Sequence, residues 1–485
     1  MLDDEAELGR FGYAQQLRRG MSAFGNFALS FSVISILTGG VSLYGWGLTQ
    51  GGPIEMLIGW PLVSVMTLLV AVSLAELASA YPTAGALYHW STILGGVRVG
   101  WWTAWLNLIG QAAVVAGVDY ALADFVREAW GLPNAKVYVL AIYVAVLVSH
   151  GVLNHVGIRV VTALNELSAW YHLAGTALLV GALVWLAPLQ PLTFMTTHFV
   201  AKASDGVLYP FTYACLIGLL QAQWTFTGYD ASAHVAEETK SAQEAAPRGI
   251  VNAVWVSGVV GFLMLVAITL AIADLPAAAA ADNPFVYVLR TALGSRLGGA
   301  LVWMVIGAMW FCGLSSVTSN SRMLFAFARD GGTPGSTWLK RVSARHRTPA
   351  VAVWICVATA FLLALWSGAY NIIVSVSTIG LYASYGIPIV AALWARRRGR
   401  LERGPWHIGR WSTLVNTLAV GWILFISVLF VLPPNLKTGY TFAGALLLLA
   451  IYDRAWARRH FDGPPALKSW ARTGTSARPS GESIT

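Results

Sequence analysis

Asp230 is a carboxylate set inside an apolar run. It stands in FTGYDASAH, after Phe226, Thr227, Gly228 and Tyr229 and before Ser232 and His234. A second polar interruption, Thr38-Gly39-Gly40, falls near the middle of another apolar run, with no charged residue between Arg19 and Glu55. Neither stretch offers a nucleophile with its base, or a cluster of metal ligands. The chemistry open to them is binding. A helix that unwinds at mid-membrane frees N–H and C=O groups that hydrocarbon cannot satisfy, so the break persists only where it lines a cavity or meets a ligand. The amino end of the restarted half-helix suits an anion. The freed carbonyls suit an ammonium or a cation. Two such breaks facing each other fit a zwitterion. The competing reading is close helix packing, which glycines also permit.

Other side chains at membrane depth could move an ion or a gate. His172, midway along ELSAWYHLAGTAL, could carry a proton. Ser315, Ser316 and Ser319 offer oxygens of the kind a sodium ion uses, and are equally ordinary helix-packing serines. Glu76, Arg322, Glu237 and Glu238 lie near span ends and could pair as a gate, or could be snorkelling or loop charges. Asp119 and Glu166 lie within or near spans without an assigned role. In HGVLNH the two histidines are five residues apart, which points them to different helix faces, so no metal site is expected.

These residues must be positioned by membrane helices. The chain is 57% apolar and 11% charged with 22 Trp, against roughly 25% charged in soluble domains. Lipid has to solvate that surface. The apolar runs are long and continuous, which excludes a β-barrel. Runs near the ~20 residues that cross a bilayer fall at about 22–49, 54–80, 101–126, 137–156, 159–187, 208–235, 250–273, 301–327, 350–367, 371–394, 412–432 and 439–456. They are numbered as spans one to twelve. With an even count both termini share a side. If that side is inside, inner segments hold 24 of the 31 Lys and Arg, outer loops six, and Arg322 lies within a span. The positive-inside rule then makes both termini cytoplasmic.

The same placement reads the net charge of +9 as topology rather than nucleic-acid binding. ARRRGRLERG suits a loop beside anionic lipid. MLDDEAELGR lacks a signal peptide's basic region, so the first span is expected to be retained. Residues 1–21 form a cytoplasmic segment, 22–460 the membrane domain, and the polar stretch 461–485 a disordered cytoplasmic tail. Cys215, Cys312 and Cys356 match no metal or redox spacing, and no P-loop is present. No cofactor or metal is expected.

Spans one and six are equivalent positions if the chain is two five-helix repeats, about 22–187 and 208–394, with two added helices at about 412–456. Gly-interrupted segments in matching places point to a secondary transporter site. TGG in span one, AELASAYPTAGALYHW after span two, FTGYDAS with AEETK at span six, and SSVTSNSRMLFAFARDGGTP at span eight resemble the amino acid–polyamine–organocation superfamily. SFSVISILTGGVSLYGWGLTQGGP is most similar to its amino acid/choline branch, which includes 4-aminobutyrate permeases. The resemblance covers about residues 20 to 460. It implies a five-plus-five inverted-repeat fold with broken spans one and six, and alternating access for an amino acid or related amine. It also implies that span five can present a titratable group beside a sodium-like site between spans one and eight.

On that basis Thr38, Gly39 and Gly40 are expected to bind the substrate carboxylate. Phe226 to Asp230 form the facing half, with Trp224, Phe226 and Tyr229 as aromatic lids. Leu37 stands where many members carry the first Gly of the motif. The expected activity is proton-coupled permease transport at the plasma membrane, with sodium-coupled symport or exchange of the same fold as alternatives. An enzyme would need clustered ligands, and a channel would need symmetric rings.

Overall fold

The computed structural model describes residues 4–203, 205–366 and 370–465. The chain is built of helices, and among the described residues the only β-type contact is the bridge Met21–Thr239. Among the described residues nine helices are long and apolar enough to cross a membrane: Ala23–Ser42, Glu55–Ala80, Val97–Ala129, Lys136–Val156, Ile158–Leu186, Ala242–Leu270, Pro284–Arg329, Ile372–Arg397 and Gly409–Leu429. They cover spans one to five, seven, eight, ten and eleven.

The other three expected spans are also helical. Span six is cut into Phe211–Gly218, Leu220–Thr225 and Ala231–His234, span nine is Ala350–Trp366, and span twelve is Leu436–Tyr452. Phe461, near the end of the described chain, packs its ring on Tyr88 and Phe327, and Tyr13 stacks on His89 beside Tyr88. The segments around Tyr13 and Phe461 therefore meet at one end of the bundle, called here the N-terminal end, as an even number of crossings between them requires. The disordered tail expected after 461 falls mostly on residues 466–485, outside the described residues.

Helix neighbours reveal a repeat. Span three packs on ten, and five on eight. One packs on seven, and six on two. One packs on five, and six on ten. Three packs on four, and eight on nine. Four packs on eight, and nine on three. Each of these contacts becomes its partner when five is added to or subtracted from the span number. A repeat of five crossings is odd, so the second copy begins from the opposite membrane face and is inverted.

Beside span one, at 89%, the most enclosed spans are three and ten, with 89% and 83% of their apolar windows inside the protein, against 33% for span four and 39% for span five. Spans three and ten therefore form the wall behind the two broken helices, and four and five face lipid. Span eight begins within a 46-residue helical stretch that turns sharply at Gly294 (φ 77°), a left-handed conformation that glycine adopts freely. The turn separates a short helix, residues 284–293, from the crossing segment.

Candidate functional site

Span one unwinds one turn before its glycines. Its first half ends at Ile34, residues Ser35 to Thr38 form turns, and Gly39 is the first residue of the restarted helix. Ser35 sits in the left-handed region (φ 40°), an unusual place for a residue with a side chain. Gly39 is there for proximity: a Cβ would come 2.6–2.8 Å from the Thr225 side chain and backbone on span six. Gly40 has ordinary room, and its carbonyl accepts from Gln221 Nε2 at 2.9 Å. Leu37 is fully buried and points toward Gly175 of span five, so its bulk is housed away from the cleft.

Span six unwinds at Phe226 to Asp230. Gly228 (φ 78°) lies against Val33 so closely that a Cβ would overlap its methyl group. Span ten closes over this break. Tyr382 donates to the Phe226 carbonyl, and Tyr385 accepts from Gly228 N–H at 3.0 Å while donating to Asp230 Oδ1 at 2.7 Å. Asp230 is also held by Asn107 Nδ2 (3.1 Å) and faces His234 Nε2 (3.0 Å), one turn on. His234 Nδ1 faces the Ala84 carbonyl at 3.1 Å, which can only accept, so that nitrogen carries hydrogen. Gln111 Nε2 also faces His234 Nε2, at 3.1 Å. The carboxylate is turned behind the break toward spans three and ten.

Between the breaks lies a cleft lined by Val33, Ile34, Thr38, Gly39, Val118, Trp224, Thr225, Thr227 and Cys312 among others. It has about 10 Å³ of space, roughly one water's worth. Of the expected binding residues, Thr38, Gly39 and Thr227 line it. Gly40, Phe226, Gly228, Tyr229 and Asp230 form its surrounding shell, where Phe226 packs on Trp60 (4.9 Å) and Tyr229 on Tyr385 (5.0 Å).

On the other side of span one, His172 is fully buried. Its Nδ1 donates to the Ser168 carbonyl (2.8 Å), which leaves Nε2 facing the Ser35 hydroxyl at 2.7 Å. Ser35 reaches Thr38 Oγ1 at 2.6 Å. A chain of hydrogen bonds therefore joins His172 to the cleft. Ser315 donates to Asn165 Oδ1 and to the Phe311 carbonyl, Ser316 donates to the Cys312 carbonyl, and Ser319 is buried nearby on the same helix.

The N-terminal end is sealed. Arg322 pairs with Glu238 (2.9 Å), both fully buried, and Arg329 with Glu237 (2.8 Å). Glu76 lies apart from them. It receives Arg396 Nη2 (3.1 Å), the Ile408 N–H and the Ser412 hydroxyl, and so ties span two to the segment before span eleven.

Sequence reasoning did not single out Tyr13, His89 or Asp330. Tyr13 Oη, Tyr88 Oη and His89 Nε2 converge on Asp330 Oδ2 at 2.7–3.0 Å. Burial alone would raise the Asp330 carboxyl, but the His89 hydrogen bond and the charges of His89 and Arg329 outweigh it and hold it below the usual range. Burial acts likewise on Glu237, and Arg329 reverses it. The segment before span one is bound into this lid. Gly20 and Met21 donate to the Glu238 carbonyl, and Arg19 donates to the Thr239 carbonyl.

The opposite end is open. A vestibule of about 360 Å³ is lined by Ser42, Trp46, Thr49, Tyr120, Asp124, Asp282, Asn283 and Tyr370 among others. Its floor is thin: Tyr370 meets Trp224, which lines the cleft, edge-on at 6.2 Å.

An inverted repeat with two broken helices meeting at a cleft, sealed at one end and open at the other, defines a secondary transporter architecture. The amino acid permease family model matches residues 22–452. Amino-acid permease BAT1 of Arabidopsis thaliana is 37% identical over 95% of this chain and 96% of its own length. The BAT1 homolog of Oryza sativa subsp. japonica is 36% identical over 95% of each, and amino-acid permease 2 of Neurospora crassa is 27% identical over 94% of this chain and 88% of its own length. The chain belongs to the amino acid permease family of the amino acid–polyamine–organocation superfamily, and is a membrane transporter rather than an enzyme.

Proposed function

We propose that this permease is a proton-coupled transporter of small amino acids, 4-aminobutyrate among the candidates, that works by alternating access with its N-terminal end in the cytoplasm. The observation that carries the reading is the meeting of both breaks at one cleft, between a sealed end and an open vestibule. The vestibule falls within the range of small-molecule sites, ~300–1,000 Å³, whereas the cleft must widen to hold a substrate. This arrangement fits a state open toward the outside and tight at the centre.

Ile36, Leu37, Gly40 and Val41 make no backbone hydrogen bond through their N–H groups among the described residues, and these are the donors we assign to the carboxylate. Carbonyls of the span-six break, beside Thr227, receive the amine. Asp230, held by Tyr385, Asn107 and His234, supplies negative potential from behind that break. His172 carries the coupling proton. Its hydrogen-bonded chain through Ser35 and Thr38 to the cleft supports this.

The test is uptake into proteoliposomes of labelled 4-aminobutyrate, several α-amino acids, putrescine and choline under an inside-alkaline gradient. Accumulation of one amino acid, abolished by a protonophore, is expected. Accumulation only with sodium or an internal counter-substrate overturns proton coupling. No transport of any compound under all these conditions overturns the substrate assignment.

A further inference from the structure

Asp119 and His150 are a second buried acid–imidazole pair that the site described so far does not use. Asp119 lies on span three and His150 on span four. Both side chains are fully buried, and His150 Nδ1 is 3.1 Å from Asp119 Oδ2. Asp119 Oδ1 and His150 Nε2 have no partner within the protein. Span eight faces them with Gly313, where a Cβ would lie 1.9 Å from Asp119 Oδ1 and 2.6 Å from His150 Cε1. The unpartnered carboxylate oxygen and the edge of the imidazole ring thus fill the space that the missing side chain of Gly313 leaves. Leaving such atoms unpaired is costly unless the site has a use.

We propose that Asp119 and His150 form a proton-binding site of the transport cycle, separate from His172 and from Asp230 with His234. This rests on the proton-coupled reading above. With neutral imidazole and carboxylate the pair carries a net charge of −1. One proton taken up on the imidazole, or on the carboxylate, brings the pair to zero. That is the more favourable state away from water.

Nearby, Tyr143 on span four donates to the Ala360 carbonyl and the Cys312 thiol on span eight donates to the Val33 carbonyl. The Trp310 ring lies 5.3 Å from the His150 ring. Charged groups on the packed helices have partners elsewhere: Arg322 on span eight with Glu238, and Asp124 of span three with Arg127. Span nine offers Cys356, and span five His172, which faces Ser35 and Ser168. Among the described residues no third His, Cys, Asp or Glu completes a metal cluster, so the ligand is the proton.

The link to transport is short. Val118 and Cys312 line the cleft and immediately precede Asp119 and Gly313. The Cys312 thiol donates to the Val33 carbonyl at 3.2 Å, two residues before the break in span one. A change of charge at the pair therefore acts on the wall of the cleft and on the end of the first half-helix.

The test uses the reconstituted full chain with Asp119→Asn, His150→Gln and Gly313→Ala, measuring gradient-driven accumulation, substrate counterflow and proton entry by a trapped pH dye. Counterflow needs no net proton movement. The ratio of accumulation to counterflow is expected to fall about tenfold or more in Asp119→Asn and His150→Gln, in the range of ordinary coupling energies, and the pH profile of uptake to flatten. An infrared difference band from a carboxyl that changes with pH should be present in the wild type and absent in Asp119→Asn. If Asp119→Asn does not fold, His150→Gln carries the transport test. Variants that keep the wild-type ratio and pH profile overturn the proposal while leaving the proton-coupled reading standing. Equal loss of counterflow and accumulation in folded variants assigns the pair to packing and also overturns it. A wild type that performs counterflow but moves no protons removes the coupling reading itself.

Discussion

At the scale of single residues, glycines and hydroxyls decide whether the breaks can form. Gly39 must stay small because Thr225 backbone, which cannot swing aside, occupies the place of a Cβ. Gly39→Val is expected to abolish uptake while the protein still inserts and purifies as a monodisperse species. Wild-type uptake in that variant removes the close approach from the account. His172→Gln is expected to keep counterflow and lose accumulation under a pH gradient, and unchanged accumulation would remove His172 as the carrier. The sequence marked Thr38, Gly39, Thr227 and Gly228 because polar or glycine residues at mid-span are conspicuous. It could not show that unwinding starts at Ser35, an ordinary serine whose left-handed backbone is set by its surroundings. Nor could it show that Asp230 turns away from the cleft, because that follows from Asn107 and Tyr385, far off in the chain.

At the scale of elements, the lid combines the segment before span one, the Leu87–Gly95 helix, the piece after span six and the end of span eight. Arg322 and Glu238 were visible as charges near span ends, and their pairing follows from burial, which tolerates neither alone. Glu238→Gln leaves a buried guanidinium uncompensated and is expected to cost about 3–5 kcal/mol, read as a lowered Tm, with partial recovery in the double variant Arg322→Met/Glu238→Met. An unaltered Tm would mean that water already reaches the pair.

Asp330 sets the pH dependence of the lid. Its carboxyl is held below the usual value in the fold, so its contribution is present above that value and is lost as pH falls through the lower, folded one. The lid is therefore expected to hold steady with respect to Asp330 through the neutral range and to loosen in strong acid. Asp330→Asn should loosen it at pH 7, seen as faster hydrogen exchange at residues 13–21. Tyr13 and His89 escaped notice in the sequence because lone aromatics beside loops are common, and only the fold brings them to one oxygen.

At the scale of the whole molecule, composition and the run of apolar segments made the membrane architecture legible, and the two matched interruptions made the repeat legible. The sealed and open ends were not, since they belong to a conformation rather than to a pattern. They carry a sided expectation. Cysteine placed at Asp282, exposed beside the vestibule, should react with an impermeant thiol reagent added outside intact cells, and cysteine at Thr337, exposed beside the lid, only after permeabilisation. The reverse pattern would invert the molecule in the membrane. The packing of Phe461 on Tyr88 and Phe327 has a practical consequence. Because the chain returns to the very surface that must part when the cycle turns, its beginning and end form a built-in caliper: a donor dye near Tyr13 and an acceptor after Phe461 would report opening and closing in single molecules without a probe anywhere in the substrate path.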